Sequence, residues 1–157
     1  MIRIQYAAMP THEARAFQAG AADAYGRPPE RAISRGSGVP CRHCLRDVGE
    51  GEAYLILAYR PFPELQPYAE TGPIFLHADF CERSPEQSET PGMLLKRAAH
   101  LIKGYGRDDR IVYGTGKIVA SPELLSSAAA ILERGDVSYV HVRSALNNCY
   151  TCRIDRA

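Results

Sequence analysis

The cysteines of this 157-residue chain lie in a pattern that strongly restricts how it can fold. Four of the five form two C-x-x-C units, Cys41–Cys44 and Cys149–Cys152. Four thiolates are the ligand set of a tetrahedral structural zinc site. The two units are roughly a hundred residues apart, whereas those of a compact zinc ribbon are about 15–20 residues apart. If all four bind one ion, the fold must return the end of the chain to the neighbourhood of Cys41.

A second set of ligands lies closer together in the sequence. His77 and Cys81 form an H-x-x-x-C segment at the end of a predicted strand. With the first C-x-x-C unit they offer three sulfur atoms and one nitrogen, another set typical of structural zinc. His43 is less suited to the same ion, because its neighbour Cys44 already points there. We therefore predict zinc or another thiophilic metal on a subset of Cys41, Cys44, His77, Cys81, Cys149 and Cys152.

Two other interpretations of the cysteines stay open. Buried cysteines often serve as small hydrophobic residues, so the protein is alternatively a small-ligand or protein-binding module with purely structural cysteines.

The other interpretation is a thiol-dependent enzyme. Arg42, His43 and Arg46 place positive charge beside the first C-x-x-C unit, as in redox thiols, although a strand and not a helix follows it. A nucleophilic cysteine with a histidine base would draw on Cys44, Cys81 or Cys149 and on His77 or His141.

The composition excludes several classes of protein. Hydrophobic residues make up 45% and charged residues 24% of the chain, which is typical of a globular domain and not of a disordered one. The formal net charge is +1, so the basic excess of most nucleic-acid-binding proteins is absent. The first residues lack the apolar core of a secretory signal, and no run approaches the roughly 20 apolar residues of a membrane helix. We expect a cytoplasmic protein, outside the membrane, whose partner is an unidentified small molecule or protein.

Short apolar runs bounded by glycine and proline predict an α+β fold, with a mostly antiparallel sheet and two or three helices. We predict a single domain over residues 1–157, in which residues 1–38 form a strand, a helix and a loop that lead into the Cys/His-containing core. The predicted strands are Ile2–Ala8, Ala53–Tyr59, Pro73–His77, Leu101–Tyr105, Ile111–Val119, Val137–Val142 and Tyr150–Ile154.

Two helices begin at recognisable N-terminal signals. Thr11 is a predicted N-cap, and the helix that follows is weakened by Gly20. Ser121-Pro122-Glu123 combines a predicted N-cap with proline at the first helical position. Gly135 is predicted to end this second helix.

Residues other than the cysteines predict a possible ligand pocket. Tyr139, His141 and Arg143 alternate along a predicted strand, so they share either a polar binding face or, more commonly, a solvated sheet face. The proline-stiffened segment 59–70 displays aromatic side chains, which is typical of ligand pockets and also of core loops. The residues assigned to the possible pocket are Arg42, Tyr68, His141 and Arg143.

Three groups of residues carry a resemblance to a known family: Val39-Pro40-Cys41-Arg42 with Leu45 and Gly51-Glu52, Pro67-Tyr68 with Gly72-Pro73-Ile74-Phe75, and His141-Val142-Arg143 with Cys149 and Arg156. They resemble the bacterial domain-of-unknown-function family numbered 1203. The resemblance spans most of the chain from Val39 onward. It implies a small cytosolic protein with the fold of that family, and no established activity.

Overall fold

The computed structural model describes residues 1–157 and contains eight strands in two sheets with three α-helices. All paired strands are antiparallel, so the predicted α+β fold is confirmed. The strands are β1 (Ile4–Ala7), β2 (Glu30–Ile33), β3 (Ala53–Tyr59), β4 (Gly72–His77), β5 (Ala99–Tyr105), β6 (Lys117–Ala120), β7 (Tyr139–Ser144) and β8 (Tyr150–Arg156). The helices are α1 (Thr11–Gln18), α2 (Gly92–Leu95) and α3 (Leu124–Leu132), and a 3₁₀ turn at Ser121–Glu123 precedes α3.

The two sheets carry separate hydrophobic cores. The larger sheet has the order β1-β8-β7-β5-β6, and α2 and α3 cover one of its faces to form the main core. The smaller sheet has the order β2-β3-β4 and packs with α1 and the segment around Cys41 in a second core. β7 is buried on both faces, because Val140 and Val142 point into the main core and a third, aromatic cluster around Phe62 covers its other face.

The helix α1 is shorter than the apolar pattern suggests. Gly20 has a φ of 93°, a left-handed conformation that glycine adopts without strain, and it ends the helix. The prediction that Thr11 is the N-cap is wrong, since Pro10 occupies that position. The Thr11 hydroxyl instead contacts Nε2 of His43 at 3.0 Å, so α1 is attached to the first C-x-x-C unit from its first residue.

Two sheet predictions are corrected by the structure. The strand, helix and loop predicted for residues 1–38 omit one element, because Glu30–Ile33 pairs with β3 as an exposed edge strand. This strand buries no face, so it has no apolar alternation to reveal it. The strand predicted over Ile111–Val119 is limited to β6, because Gly114 (φ 87°) and Thr115 form a turn before it. The Thr115 hydroxyl accepts the backbone N–H of Gly104 at 2.9 Å and stabilises that turn.

The predicted helix at Ser121 is confirmed as an element, but it starts differently. The Ser121 hydroxyl donates to the carbonyl oxygen of Arg97 and does not cap the helix. The 3₁₀ turn therefore comes first, and α3 runs from Leu124 to Leu132, three residues short of Gly135. None of the helices is long and apolar enough to cross a membrane.

Candidate metal centre

The first C-x-x-C unit forms a tight turn beside the smaller sheet. An isolated antiparallel bridge between Pro40 and Asp47 closes its base, and the backbone N–H of Leu45 donates to the carbonyl oxygen of Cys41 at 3.0 Å. Leu45 has a φ of 52°, an unusual conformation for a residue with a large side chain. This reversal of the backbone places Cys41 and Cys44 within reach of the same point in space.

The remaining candidate ligands come from β4 and the loop that follows it. A parallel bridge joins Cys41 to Phe75, and the backbone N–H of Arg42 donates to the carbonyl oxygen of Phe75 at 3.1 Å. The C-x-x-C turn is therefore aligned with β4, whose last residue is His77. Cys81 follows in the loop, four residues further along the chain.

The helix α1 holds that loop in position. The guanidinium group of Arg15 donates to the carbonyl oxygen of Cys81 at 2.7 Å and lies over the ring of Phe80. The side-chain amide of Gln18 donates to the carbonyl oxygens of His77 and Asp79 at 3.0 and 2.9 Å. These contacts fix the backbone of the H-x-x-x-C segment from His77 to Cys81, and they have no signal in the sequence because they depend on tertiary packing.

The four side chains converge on one point. The ligand atoms of Cys41, Cys44, His77 and Cys81 all lie within 4.8 Å of one another. Sγ of Cys41 is 4.0 Å from Sγ of Cys81, and Sγ of Cys44 is 3.4 Å from Nδ1 of His77. A tetrahedral zinc ion with Zn–S distances of about 2.3 Å and a Zn–N distance of about 2.0 Å separates two sulfur ligands by about 3.8 Å, and sulfur from nitrogen by about 3.5 Å. The observed spacings fit a cluster that can hold a metal ion.

Outer contacts orient two of these ligands. Nε2 of His77 lies 3.5 Å from the Glu52 carboxylate, which leaves Nδ1 of His77 facing the cluster. Nδ1 of His43 lies 3.1 Å from Sγ of Cys81, so His43 is a hydrogen-bond partner of a ligand and not a ligand itself. A carboxylate beside the outer nitrogen of a histidine and a hydrogen bond to the sulfur atom of a cysteine are contacts that hold metal ligands in their binding orientation. Neither contact has a signal in the sequence, because each depends on tertiary packing.

Without a bound cation, the thiols and the imidazole of the cluster differ strongly in their pKa values. Hydrogen bonds from Cys44 and Cys81 hold the pKa of the Cys41 thiol far below its usual range, and hydrogen bonding to Cys41 raises the pKa of Cys81. Hydrogen bonding to Cys41, and then to Cys44, raises the pKa of His77 to about 10. Negative charge therefore concentrates on Cys41 when no cation compensates the other thiols. A bound dication displaces such protons and allows all the thiols to ionise.

The second C-x-x-C unit lies outside this cluster. Cys152 belongs to β8 and is buried in the main core, where burial raises the pKa of its thiol to about 12. Cys149 precedes β8 and is partly exposed, with its Sγ atom 3.7 Å from the carbonyl oxygen of Asn147. The four-thiolate set is therefore not assembled. All five cysteines are free.

The residues assigned to a possible ligand pocket do not line one common cavity. Arg42, Arg143 and His141 each line a different cavity, and Tyr68 pairs its hydroxyl with that of Tyr113 at 2.8 Å. The expectation that the face of Tyr139, His141 and Arg143 is solvated is wrong, since all three are buried. The proline-stiffened loop after β3 covers this face with Phe62.

An ion triad attaches the same loop to the larger sheet. The two carboxylate oxygens of Glu70 lie 3.2 Å from Nζ of Lys103 and 3.2 Å from Nη1 of Arg143. The side chains of Arg143 and Lys103 are 4% and 14% exposed, and that of Glu70 is 35% exposed. Nε of Arg143 has no hydrogen-bond partner, so Glu70 is the main compensation for this buried charge.

His141 gives the protein a pH-dependent stability that can be measured. Four aromatic rings surround its side chain, and burial holds its pKa well below 6.5. The native imidazole is therefore neutral, whereas the unfolded chain binds a proton below about pH 6.5, so the free energy of unfolding falls as the pH is lowered. We expect His141→Phe to reduce this slope by up to about 1.4 kcal/mol per pH unit.

Urea denaturation of the wild-type protein and the variant at several pH values between neutral and mildly acidic measures that slope. The exposed His12 supplies the control, because His12→Gln removes a histidine without removing a buried one. Equal slopes for the wild-type protein and His141→Phe would contradict the prediction.

The fold and the cluster define an α+β protein with a Cys₃His group that can bind a metal. The chain belongs to the family described as "Protein of unknown function (DUF1203)", whose model matches residues 38–156. The match includes all four residues of the cluster, whereas α1 lies before it. Neither the curated proteins nor the solved structures contain a match to this chain.

Proposed function

We propose that the protein binds one zinc ion through Cys41, Cys44, His77 and Cys81, and that the metal stabilises the fold. The observation that carries this proposal is the convergence of the four ligand atoms within 4.8 Å, at spacings that fit tetrahedral zinc. Three thiolates and an imidazole suit a borderline-soft ion without a preference for planar geometry, which favours zinc over magnesium, calcium or copper(II).

A structural role is favoured over a catalytic one. Catalytic zinc keeps one position for water or substrate, whereas this cluster supplies four protein ligands. Cys41, Cys44 and Cys81 are all buried, and Arg15 and Gln18 hold the loop that carries Cys81. A metal there joins the C-x-x-C turn to the end of β4, and so strengthens the smaller sheet and its packing against α1.

A role as a thiol-dependent enzyme is less well supported than a structural zinc site. It requires an accessible thiol with a lowered pKa. Cys41 has the lowered pKa but is completely buried, and Cys149 is the most accessible of the five thiols but has no histidine hydrogen-bonded to it. Five free cysteines together with a thiolate-rich metal site suit a reducing compartment, and they support the proposal that the protein is cytoplasmic.

Metal analysis of untagged protein, purified without added metal, tests the proposal. We expect inductively coupled plasma mass spectrometry to find one equivalent of zinc. Of the five thiols, Cys41, Cys44 and Cys81 should resist a thiol reagent until a chelator is added, because metal-bound thiolates are shielded. Protein without metal, in which Cys41, Cys44 and Cys81 react with the reagent at the same rate before and after the chelator is added, would overturn the proposal.

A further inference from the structure

A second feature of the C-x-x-C turn is unrelated to the metal cluster. Arg42 lines a cavity of about 410 Å³ that also contacts α2, the end of β7 and the start of β8. Half of the residues that line it are hydrophobic, and none is an aspartate or a glutamate. Its volume lies within the range of small-molecule sites, and polar groups at only a few points of an apolar wall are typical of such sites.

Arg42 is a buried cation without a carboxylate partner. The residue is only 3% exposed, and its guanidinium group takes part in none of the ion pairs of the protein. Nε donates to the carbonyl oxygen of Tyr150 and Nη1 to that of Pro40, each at 2.7 Å. Nη2 has no hydrogen-bond partner in the protein and is not among the fully buried unpaired atoms, so its N–H groups are available to a ligand. A buried charge of this kind is stabilised by an anion that pairs with it.

The second cation that lines the cavity, Arg97, is already paired with a carboxylate, so it does not compete with Arg42 for an anion. Arg97 also lines the cavity, but both of its terminal nitrogens bind the carboxylate of Asp47, at 2.7 and 3.2 Å. The Arg97–Asp47 pair is neutral as a unit, so Arg42 carries the one positive charge without a carboxylate partner among the residues that line the cavity. A single unpaired cation suits a monoanion better than a phosphate dianion.

The apolar part of the cavity wall indicates that a ligand would carry a hydrocarbon group in addition to its negative charge. Phe75 and Met93 contribute to its wall, and Leu146 contributes an aliphatic side chain that is 94% exposed. An exposed leucine beside a half-apolar cavity gains burial when a hydrocarbon group covers it.

We propose that this cavity binds a small organic carboxylate with a hydrocarbon body, with the carboxylate on Nη2 of Arg42 and the hydrocarbon against Leu146. The proposal is independent of the metal, since it uses neither the ligands nor the contents of the cluster. Cys149 also lines the cavity and is partly exposed, so its thiol reports whether the cavity is occupied.

The probe is hexanoate, and the readout is the rate at which iodoacetamide alkylates Cys149 in the full-length protein as purified, followed by mass spectrometry of the Cys149 peptide. We expect hexanoate to slow this reaction in a saturable manner, and 1-hexanol and inorganic phosphate to leave the rate unchanged. No protection by hexanoate would overturn the proposal, because it would show that the carboxylate does not bind in the cavity. Equal protection by hexanol would also overturn it, because it would show that binding does not require a negative charge.

Two pairs of variants locate the binding groups. Arg42→Gln should raise the hexanoate concentration for half-protection about tenfold, as expected for the loss of one charge-assisted hydrogen bond. Arg134→Gln removes the same charge at the surface, outside the cavity, and should change nothing. Leu146→Ala should weaken protection roughly fivefold through lost apolar contact, whereas Leu65→Ala, at another exposed leucine, should not.

The second pair keeps the test decisive if Arg42→Gln fails to fold, because Leu146 and Leu65 are both surface residues whose truncation leaves the cores intact. Unchanged half-protection in Leu146→Ala, or an equal change in Leu65→Ala, would contradict the assigned position of the hydrocarbon group.

Discussion

Cys44→Ser is expected to abolish stoichiometric zinc binding and to lower the thermal unfolding midpoint by roughly 8–16 °C. A serine hydroxyl is a poor zinc ligand, so the ion would keep only three protein ligands. A metal bound about a thousandfold above its dissociation constant adds about 4 kcal/mol to the free energy of unfolding, and 1 kcal/mol shifts the midpoint of a domain of this size by about 2–4 °C. Metal analysis and calorimetry of the purified variant measure the two effects.

Cys149→Ser is the matched control for that variant. It removes a thiol from the other C-x-x-C unit, which lies outside the cluster, and should keep one equivalent of zinc with an unchanged midpoint. Zinc loss in Cys149→Ser and not in Cys44→Ser would reverse the ligand assignment. A fully zinc-loaded Cys44→Ser would exclude Cys44 as a ligand.

Glu70→Gln is expected to lower the free energy of unfolding by about 2–3 kcal/mol. The substitution keeps the size of the side chain but leaves Arg143 and Lys103, both largely buried, without a carboxylate. Removing one partner of a fully buried ion pair costs about 3–5 kcal/mol, and the partial exposure of Glu70 reduces this value. Urea denaturation at neutral pH provides the measurement.

Glu64→Gln is the control for the triad, because Glu64 belongs to the same proline-stiffened loop, is exposed and makes no ion pair. Its free energy of unfolding should stay within about 0.5 kcal/mol of the wild-type value, as for most surface substitutions. A loss in Glu70→Gln no larger than that in Glu64→Gln would show that water compensates the two cations.

The C-x-x-C turn connects the two proposed sites. Cys41 and Cys44 contribute to the metal cluster, whereas Arg42 between them lines the carboxylate cavity. The backbone of Arg42 is fixed by β4 on one side and by Met9, whose N–H donates to the Arg42 carbonyl oxygen at 3.0 Å, on the other. The metal and the cavity therefore share a rigid support, although each is tested separately.

Much of the larger architecture could be predicted from local sequence. The short, apolar runs Ala53–Tyr59 and Pro73–His77 predict β3 and β4, because strands that are largely buried require apolar side chains. The same reasoning finds α3 from its apolar face. It does not find β2, whose pairing with β3 buries neither face, and it extends β6 through the turn at Gly114.

The sequence by itself determined the α+β class, the main strands and the residue types of a zinc-binding cluster, since each depends on local periodicity or on the chemistry of single side chains. The tertiary structure decided which cysteines meet. Cys152 shares the inward face of β8 with Ile154 and fills the main core, while the bridge between Cys41 and Phe75 brings the first C-x-x-C unit to His77 and Cys81. The tertiary structure also buries the face of β7 that carries His141, and it places Arg42 in the wall of a cavity. These outcomes depend on contacts between segments far apart in the chain, which local spacing does not encode.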